Sequence, residues 1–339
     1  MNKAPVLKAC IIGIGKQSIE DHIPGIKHSK NAKLVSILDK DKKVSSKWGK
    51  NLNISNYTSL SKLIKETSPD FAIVAVPHDQ YLKIIKKLAK NKIHILKEKP
   101  LAINFKEAKL IKKITSEAGI ELMITLQRRF NPIYSSFIQL MKQIGKPFFI
   151  KGQYTLCIDS PENGWRGDKK RAGGGCIIDM GYHLIDLLIW YFGLPDLIHA
   201  EYKCLAKPDS FYDAEDTATI TFRYSEQGII GTLMLSRSTP PKSEFFKLIG
   251  SKGTVNISRG NIIRTDKFGK ILEDLSRKKN WTAAATTQID YFCDIITKNK
   301  KNIGSPIYHL QHMAFIEASY LSQKLGQYVN PYQILNNHE

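Results

Sequence analysis

Residues 6–18 read VLKACIIGIGKQS, and this stretch decides the fold expected for the first part of the chain. A short apolar run ends in Gly13 and Gly15, as a buried strand does when it enters the G-x-G-x-x-G turn of a dinucleotide-binding fold. In that turn the first glycine permits the tight bend, and the second lets the backbone approach a pyrophosphate at a helix N-terminus. Ser18 stands at the third glycine position and is small enough for close packing. Pro24 indicates that the following helix is kinked or begins late.

A second apolar run, KLVSILD (33–39), ends in an acid, and Asp39 lies 24 positions after Gly15 (39 − 15). At the end of the second strand of a dinucleotide-binding fold, a carboxylate accepts the ribose hydroxyls and repels a 2′-phosphate. The sequence therefore predicts NAD rather than NADP, although the lysines of KDKK (40–43) oppose that preference. The alternative is a structural one, in which a glycine turn is followed by a strand-ending acid and no cofactor binds.

Two further apolar runs, FAIVAVP (71–77) and KIHILKEKP (92–100), follow, with amphipathic and lysine-rich segments between the runs. Strands that alternate with helices in units of roughly thirty residues indicate βαβ crossovers and a parallel sheet that is buried on both faces. We therefore expect an α/β fold whose N-terminal domain, residues 1–125, is a doubly wound Rossmann domain.

The pattern changes after QRRFNP (127–132), where β-rich and hairpin-like segments with turn residues between them replace the βαβ units. These segments predict an antiparallel or mixed sheet in a second, α+β domain that covers residues 126–339. A helix over 306–326 closes this domain, and we also consider that it packs back on the first domain.

Length and composition favour a folded protein of two domains, since 339 residues are too many for one typical core and only 24% are charged. Lys and Arg exceed Asp and Glu by 51 − 31 = 20, a charge that suits nucleic acid, an acidic membrane or an anionic small substrate. The lysines are spread along the chain like solvated faces, and no basic motif with interleaved aromatic residues indicates nucleic acid. The charge is therefore interpreted mainly as solvated faces and loops, with an anionic small substrate as the partner that stays open.

The five cysteines are odd in number and lack C-x-x-C spacing, which favours reduced thiols over disulfides or a zinc site. Lys8 interrupts the apolar run at the start, so this segment is a poor signal peptide. No uninterrupted apolar run is long enough to span a bilayer. We expect a cytoplasmic protein without a metal and without a membrane or nucleic-acid partner.

The motif KEKPLA (97–102) ends the fourth apolar run. Ligands of open α/β sheets bind outside the carboxyl ends of the strands, so Glu98 and Lys99 are expected at the cofactor crevice, on a turn stiffened by Pro100. A solvated loop is the alternative.

A third motif, AGGGCIIDMGYHLID (172–186), places three polar residues in an apolar, helix-like segment. Spacings of four and three put Asp179, His183 and Asp186 on one face of a helix. The glycines predict a backbone without side chains at the helix start. Such a backbone can closely approach the same group that the polar face points toward. An acid beside a histidine suits proton transfer, because the carboxylate fixes the imidazole tautomer. A buried acid–histidine pair or half of a metal site are the alternatives, and the sequence offers no further metal ligands.

These features occur in a fixed order: the glycine turn, the strand-ending acid, Glu-Lys-Pro, QRRFNP and WRGDKKRAGGGCIIDMGYHLIDLLIWYFG (165–193). Together they closely resemble the Gfo/Idh/MocA family of oxidoreductases, the relatives of glucose–fructose oxidoreductase and inositol dehydrogenase. The likeness continues through EDTATITF (215–222) to the last helix. It implies a C-terminal domain with an open, largely antiparallel sheet, and hydride transfer between a carbinol carbon and nicotinamide.

The resemblance also implies the residues of the site. The catalytic residues would be Lys99, Asp179 and His183. The substrate would be bound by Lys99, Arg128, Trp165, Arg166, Asp179 and His183. The cofactor would contact Gly13, Ile14, Gly15, Lys16, Gln17, Asp39, Val76, Pro77, His78, Tyr81, Glu98 and Lys99. In PHDQY (77–81) the chain departs from the family, which more often has Pro-Asn followed by a later histidine.

The function expected from this resemblance is an NAD(H)-dependent dehydrogenase or reductase of a sugar, sugar derivative or cyclitol. The basic run of 166–171 before the glycines favours a phosphorylated or nucleotide-linked sugar. Alternatives are a keto-sugar-nucleotide reductase, a redox glycosidase that holds NAD tightly, and a silent sugar-binding regulator. Family analogy also implies a homodimer or homotetramer.

Overall fold

The computed structural model of the protein describes residues 5–204, 206, 211–276 and 280–336. Among them are fourteen β-strands: β1 (Leu7–Ile12), β2 (Ala32–Leu38), β3 (Ser55–Tyr57), β4 (Phe71–Val74), β5 (His94–Lys97), β6 (Leu122–Ile124), β7 (Pro147–Cys157), β8 (Leu197–Lys203), β9 (Thr217–Tyr224), β10 (Ile229–Ser236), β11 (Ser238–Gly250), β12 (Gly253–Ser258), β13 (Asn261–Asp266) and β14 (Ile271–Asp274).

The same residues form eleven α-helices: α1 (Ile23–His28), α2 (Lys42–Leu52), α3 (Leu60–Thr67), α4 (Tyr81–Lys90), α5 (Phe105–Glu117), α6 (Pro132–Leu140), α7 (Lys169–Ala172), α8 (Tyr182–Phe192), α9 (Trp281–Lys298), α10 (Pro306–Leu325) and α11 (Pro331–Asn336). The chain divides into two compact units. The first holds the described residues of Met1–Ala102, Lys106–Asn131 and Asn280–His309, and the second holds those of Ile103–Phe105, Pro132–Lys279 and Leu310–Glu339.

The first unit is built on a six-stranded sheet with the strand order β3-β2-β1-β4-β5-β6. Its neighbouring strands run parallel, with Ile11 of β1 opposite Ile37 of β2 on one side and Ile73 of β4 on the other. This is the order of a doubly wound Rossmann sheet, in which ligands bind at the carboxyl ends of the strands near β1 and β4. The predicted parallel sheet is confirmed. The sequence interpretation missed β3 and β6, because three residues are too few to show a periodic pattern.

Helix α9 also belongs to the first unit, whereas the sequence interpretation placed all of residues 126–339 in the second domain. The helix buries Ile289 and Phe292 in the core of the first unit, where the Phe292 ring meets the Phe71 ring edge-on at 5.5 Å between centroids. Ser29 Oγ donates a hydrogen bond of 2.5 Å to Asp290 Oδ1. An amphipathic helix shows which face it buries but not against what, so the sequence could not assign its unit.

The second unit is built on an eight-stranded sheet with the order β14-β13-β12-β11-β7-β10-β9-β8. All its pairs are antiparallel except that β7 and β10 run parallel. The hairpins β9–β10 and β11–β12 occupy the segments predicted from their turn residues, and the largely antiparallel sheet is confirmed. A Cβ atom on Gly152 of β7 would overlap the Leu233 side chain of the neighbouring strand β10, whereas Leu184 of α8 would lie at ordinary contact distance, 3.4 Å away.

Across the described ranges, no helix combines the length and the apolar character needed to cross a membrane.

Candidate active site

The glycine turn after β1 has one glycine that the fold requires and one that faces open space. Gly13 has a φ of +92°, and a Cβ atom on it would overlap the carbonyl oxygen of Ala75. At Gly15 nothing lies within 4 Å of where a Cβ atom would project. The chain becomes helical at Lys16, and the first N–H groups of a helix lack intrahelical partners and attract anions. The turn therefore fits the pyrophosphate of a dinucleotide.

Ser18, at the third glycine position, is fully buried, and its hydroxyl donates a hydrogen bond of 2.6 Å to the Gly13 carbonyl oxygen. Residues Ser18–His22 form a π-helical turn, and the regular helix α1 starts only at Ile23, with Pro24 in its first turn. The helix as a whole does not start late, however, since the chain is helical from Lys16. Instead its regular hydrogen-bonding pattern is interrupted by a wider turn just before Pro24, a residue that lacks an N–H.

Asp39 lies at the carboxyl end of β2, directly beside the glycine turn. Its Oδ2 atom accepts a hydrogen bond of 2.8 Å from the Ile14 N–H, and Oδ1 accepts one of 2.9 Å from the Asp41 N–H. The carboxylate is therefore fixed where a dinucleotide fold receives the adenosine ribose. The glycine turn and this acid, which the sequence predicted separately, come together in the structure.

The variant Gly15→Ala tests the glycine turn. A methyl group there would occupy the open space beside the helix start, so we expect the Kd for NAD to rise at least about tenfold, roughly 1.4 kcal/mol. The melting temperature should stay unchanged because the methyl group meets no protein atom. Gly13→Ala is the matched comparison, and it should lower the melting temperature. A Gly15→Ala protein that binds NAD normally in a fluorescence titration would contradict this assignment.

Asp39 predicts a preference for NAD over NADP, measured as the ratio of kcat/KM values. In Asp39→Asn the amide oxygen can still accept the Ile14 N–H, while the charge that repels a 2′-phosphate is lost. We expect the preference of the variant for NAD to fall by roughly tenfold, with its melting temperature unchanged. A wild-type protein that uses NADP as well as NAD would show that the preference was assigned wrongly.

Glu98 and Lys99 follow β5 at the carboxyl edge of the sheet, as predicted. Glu98 has a partner that the sequence did not reveal: its Oε1 atom lies 2.9 Å from Nε2 of His22. The side chains are 13% and 0% exposed, respectively. Burial alone would raise the pKa of Glu98, but the hydrogen bond and charge of His22, with the charge of Lys99, hold that pKa below its usual value. Glu98 is thus a buried carboxylate at the base of the loop that carries Lys99.

Lys97 is a second residue that sequence reasoning missed. It is fully buried, and its Nζ atom donates hydrogen bonds to the carbonyl oxygens of Glu98 (2.8 Å) and Pro100. Nζ also lies over the Tyr81 ring, 3.3 Å from its centroid, and burial lowers the pKa of this lysine well below its usual value. Tyr81 is 1% exposed and stacks on the buried His78 ring. Of these two predicted cofactor residues, Tyr81 therefore contacts Lys97 directly, and His78 packs against Tyr81.

The other predicted residues of the first unit lie at three places. Lys16 is exposed and Gln17 half-buried at the helix start, and Val76 and Pro77 are half-buried after β4. Arg128 is 6% exposed within a 3-10 turn, Gln127–Phe130.

In the second unit, the glycines of 173–175 approach protein. A Cβ atom on any of them would overlap a neighbouring group: the Ile103 backbone at Gly173, the Tyr320 hydroxyl at Gly174 and the Glu215 backbone at Gly175. The Gly175 and Ile177 N–H groups donate to the carboxylate of Glu215. The expectation that these glycines approach the ligand of the polar face is therefore wrong, since they pack against the interior of the unit. The argument for an anion site at this helix start fails for the same reason.

The expectation that Asp179, His183 and Asp186 share one helix face is also wrong. Helix α8 begins at Tyr182, so Asp179 lies in the turn before it. Asp186 is 3% exposed and accepts a hydrogen bond of 2.9 Å from Nε2 of His312. This pair is a buried acid–histidine contact, the structural alternative for such a motif, but it involves another histidine.

Asp179 and His183 stand apart from their surroundings by exposure, because they are the only residues of 174–189 that are not buried. Arg166 Nε donates a hydrogen bond of 3.2 Å to Asp179 Oδ2, and its guanidinium lies 4.4 Å from the Trp165 ring centroid. The His183 ring is 6.1 Å from the Tyr154 ring. The second unit thus holds four of the residues predicted for substrate binding and catalysis: Trp165, Arg166, Asp179 and His183.

A parallel Rossmann unit with a glycine turn that fits a pyrophosphate, and a second unit that presents an acid and a histidine, define a dinucleotide-dependent oxidoreductase of two units. In the part of the chain that the structure describes, no group of three or more His, Cys, Asp or Glu side chains could hold a metal ion. The chain matches the family model described as "Oxidoreductase family, NAD-binding Rossmann fold" over residues 7–126. It matches "GFO/IDH/MocA C-terminal domain" over 141–256. The chain belongs to the Gfo/Idh/MocA oxidoreductase family.

Similarity to individual relatives is modest. The scyllo-inositol 2-dehydrogenase (NAD(+)) of Bacillus subtilis is 24% identical over 263 residues, 74% of this chain and 73% of that protein. Glucose-6-phosphate 3-dehydrogenase of the same organism is 26% identical over 273 residues, 75% of each chain. For eight such relatives, the matched share of the relative's own length runs from 52% to 78%.

The fold is shared with solved structures. The WlbA dehydrogenase from Bordetella pertussis, solved in complex with NADH and UDP-GlcNAcA, superposes with a TM-score of 0.81 at 22% identity. The superposition covers 96% of this chain and 98% of that one.

Proposed function

We propose that this protein is an NAD(H)-dependent oxidoreductase that acts on a CH–OH or keto carbon of a sugar, sugar derivative or cyclitol. The observation that carries the proposal is the selective exposure of Asp179 and His183 on an otherwise buried turn and helix start. Core packing by itself gives no reason for an acid and a histidine to stay accessible among buried neighbours. The family membership and the glycine turn supply the redox partner, since bound NAD accepts or donates the hydride.

The residues of this chain then have distinct roles. In the oxidation direction, His183 accepts the proton of the substrate hydroxyl, and Asp179 orients and stabilises the resulting imidazolium. Lys99 polarises the substrate oxygen with its positive charge. The turn that carries Trp165 and Arg166 binds the substrate beside Asp179. The support for these roles is the resemblance together with the Arg166–Asp179 contact.

An anionic substrate remains the favoured class. Because the Gly175 and Ile177 amides already donate to Glu215, the support comes from side-chain charge alone. Lys170 and Arg166 are exposed and Arg171 is half-exposed in the preceding segment. Relatives whose names carry a sugar phosphate or a nucleotide-linked sugar agree with this class. We therefore propose a phosphorylated or nucleotide-linked sugar in preference to a neutral one.

A substrate screen tests the function. Free sugars, cyclitols, sugar phosphates and nucleotide-linked sugars are each incubated with the protein and NAD, and with NADH for the keto forms, while the absorbance of reduced cofactor is followed. The expected result is turnover with an anionic sugar and a KM that rises with salt. Turnover of a neutral sugar that equals its nucleotide-linked form, with a KM insensitive to salt, would remove the anionic class. A protein that binds NAD without turning over any compound would instead be a sugar-binding regulator.

Location and assembly are proposed on separate grounds. All five cysteines are free, which supports a reducing compartment such as the cytoplasm. On the open face of the second sheet, Ile230 and Met234 are 51% and 37% exposed, which supports a homodimer or homotetramer that covers this face. Light scattering in solution measures the number of chains.

A further inference from the structure

We propose that Glu215 and Arg237 are positioning residues for the reaction. Their buried hydrogen bonds fix the turn that carries Asp179 relative to the turn that carries Arg166. This inference rests on the proposed function. Both residues are buried, at 2% and 1% exposure, and neither was predicted from the sequence as part of the site.

Glu215 fixes the turn that precedes Asp179 with both its side chain and its backbone. Its carboxylate accepts hydrogen bonds from the N–H groups of Gly175 (2.7 Å) and Ile177 (3.0 Å). Its carbonyl oxygen accepts one of 2.8 Å from the N–H of Cys176. Three successive amides of the turn are therefore held by one residue. The N–H of Asp179 continues the turn by donating to the Gly175 carbonyl oxygen at 3.0 Å.

The Glu215 carboxylate has a further donor in Tyr320, whose hydroxyl lies 2.9 Å from Oε1. Burial raises the pKa of Glu215, and the hydrogen bonds from Ile177, Tyr320 and Gly175 oppose that rise. A buried carboxylate with this many donors fixes the segments that carry them, because removing the carboxylate would leave several buried donors without their acceptor.

Arg237 connects Glu215 to the turn of Arg166. Its Nη1 atom donates a hydrogen bond of 2.9 Å to the Arg166 carbonyl oxygen. Its Nη2 atom donates to the carbonyl oxygens of Ala214 (2.8 Å) and Glu215 (3.2 Å). The planar guanidinium thus joins two segments that are separated in sequence, and its fixed fork sets the distance between them.

The two turns meet at the Arg166–Asp179 contact, where Nε and Oδ2 are 3.2 Å apart. The Arg166 side chain is 54% exposed, so this ion pair by itself contributes little to fixing the two turns. The buried groups below it must therefore fix the geometry, and a displacement of about 1 Å is enough to cost a large factor in rate.

The test is a double-mutant cycle between Glu215→Gln and Asp179→Asn, with kcat, KM and the Kd for NAD measured for each protein. The glutamine keeps one acceptor atom and loses the other, so Gly175 or Ile177 loses its partner. We expect kcat to fall roughly 10- to 100-fold in Glu215→Gln, with the Kd for NAD unchanged because the glycine turn lies in the other unit. In the Asp179→Asn background the same change should have a much smaller effect, because the turn no longer carries the acid. Glu226→Gln makes the same chemical change at an exposed position and should leave kcat unaltered.

Equal losses of kcat in both backgrounds would overturn the proposal, because a merely structural residue acts independently of Asp179. If Glu215→Gln does not fold, Tyr320→Phe removes a single donor and takes its place in the cycle. Amide hydrogen exchange of 173–180 gives a readout without activity, and exchange should be faster in Glu215→Gln than in the wild type. Unchanged exchange there would overturn the proposal even if no substrate is found, whereas an inactive wild type would overturn only the proposed function.

Discussion

His183→Ala is expected to lower kcat by roughly 10²- to 10⁴-fold, the range for removal of a general acid–base group. The Kd for NAD should change little, because Gly13, Gly15 and Asp39 belong to the other unit. The two constants are separable by steady-state kinetics and a fluorescence titration of NAD. Since the loss is in the chemical step, kcat and kcat/KM should fall together.

The dependence of this rate on pH has a definite sign. A histidine accepts a proton only when it is neutral, so alcohol oxidation should rise with pH over the range in which an imidazole loses its proton. Reduction of the keto form should fall over the same range, because it needs the imidazolium. Both dependences should disappear in His183→Ala.

His28→Ala provides the matched control, since His28 is exposed in helix α1 and has no place in the proposed site. It should retain wild-type kcat and pH dependence. If His183→Ala kept kcat within about tenfold of the wild type, another group would have to be the proton acceptor. The single variant Asp179→Asn would then be measured, because a water molecule next to Asp179 could accept the proton of the substrate hydroxyl instead of His183.

Gly175→Ala is expected to lower the free energy of unfolding by about 3 kcal/mol or more, the upper end for overpacking. The new Cβ atom would overlap backbone atoms of Glu215 and Ala214, and a backbone cannot turn away as a flexible side chain can. Displacement of the turn should also lower kcat, because Asp179 follows on it. Thermal unfolding by circular dichroism measures the first effect.

Gly228→Ala is the control for this change, because Gly228 has a φ of +66° and nothing within 4 Å of a Cβ atom. Its cost is only that of a left-handed residue, roughly 1 kcal/mol. The difference between the two variants isolates the steric effect. Equal stabilities would mean that the close approach at Gly175 has no role in holding the turn.

The fold of both units could be predicted from local patterns. The apolar run that ends in Gly13 and Gly15 and the acid at Asp39 indicated a Rossmann unit, and the hairpin segments around 217–258 indicated an antiparallel sheet. These signals are local, because strand periodicity, turn residues and a glycine motif act over a few residues. The short strands β3 and β6 escaped because their length carries no period.

The candidate site was predicted only in part, and the limits have a common cause. The sequence identified Asp179 and His183 but paired them with Asp186, which instead binds His312 across 126 positions. It recognised Glu98 but not His22, which lies 76 positions away. Spacing on one helix reports which side chains could share a face, whereas a hydrogen bond between distant segments depends on how the helices and strands pack.

By itself, the sequence determined the two classes of sheet, the glycine turn with its strand-ending acid, and the family to which the chain belongs. Only the tertiary structure decided what the glycines of 173–175 approach, that α9 completes the core of the first unit, and that Glu215 and Arg237 lie beneath the Asp179 turn. The reason is physical. Propensity and periodicity depend on residues that are adjacent in the chain. A buried charge is instead placed by hydrogen-bond donors from several segments, and those donors come together only when the core has formed.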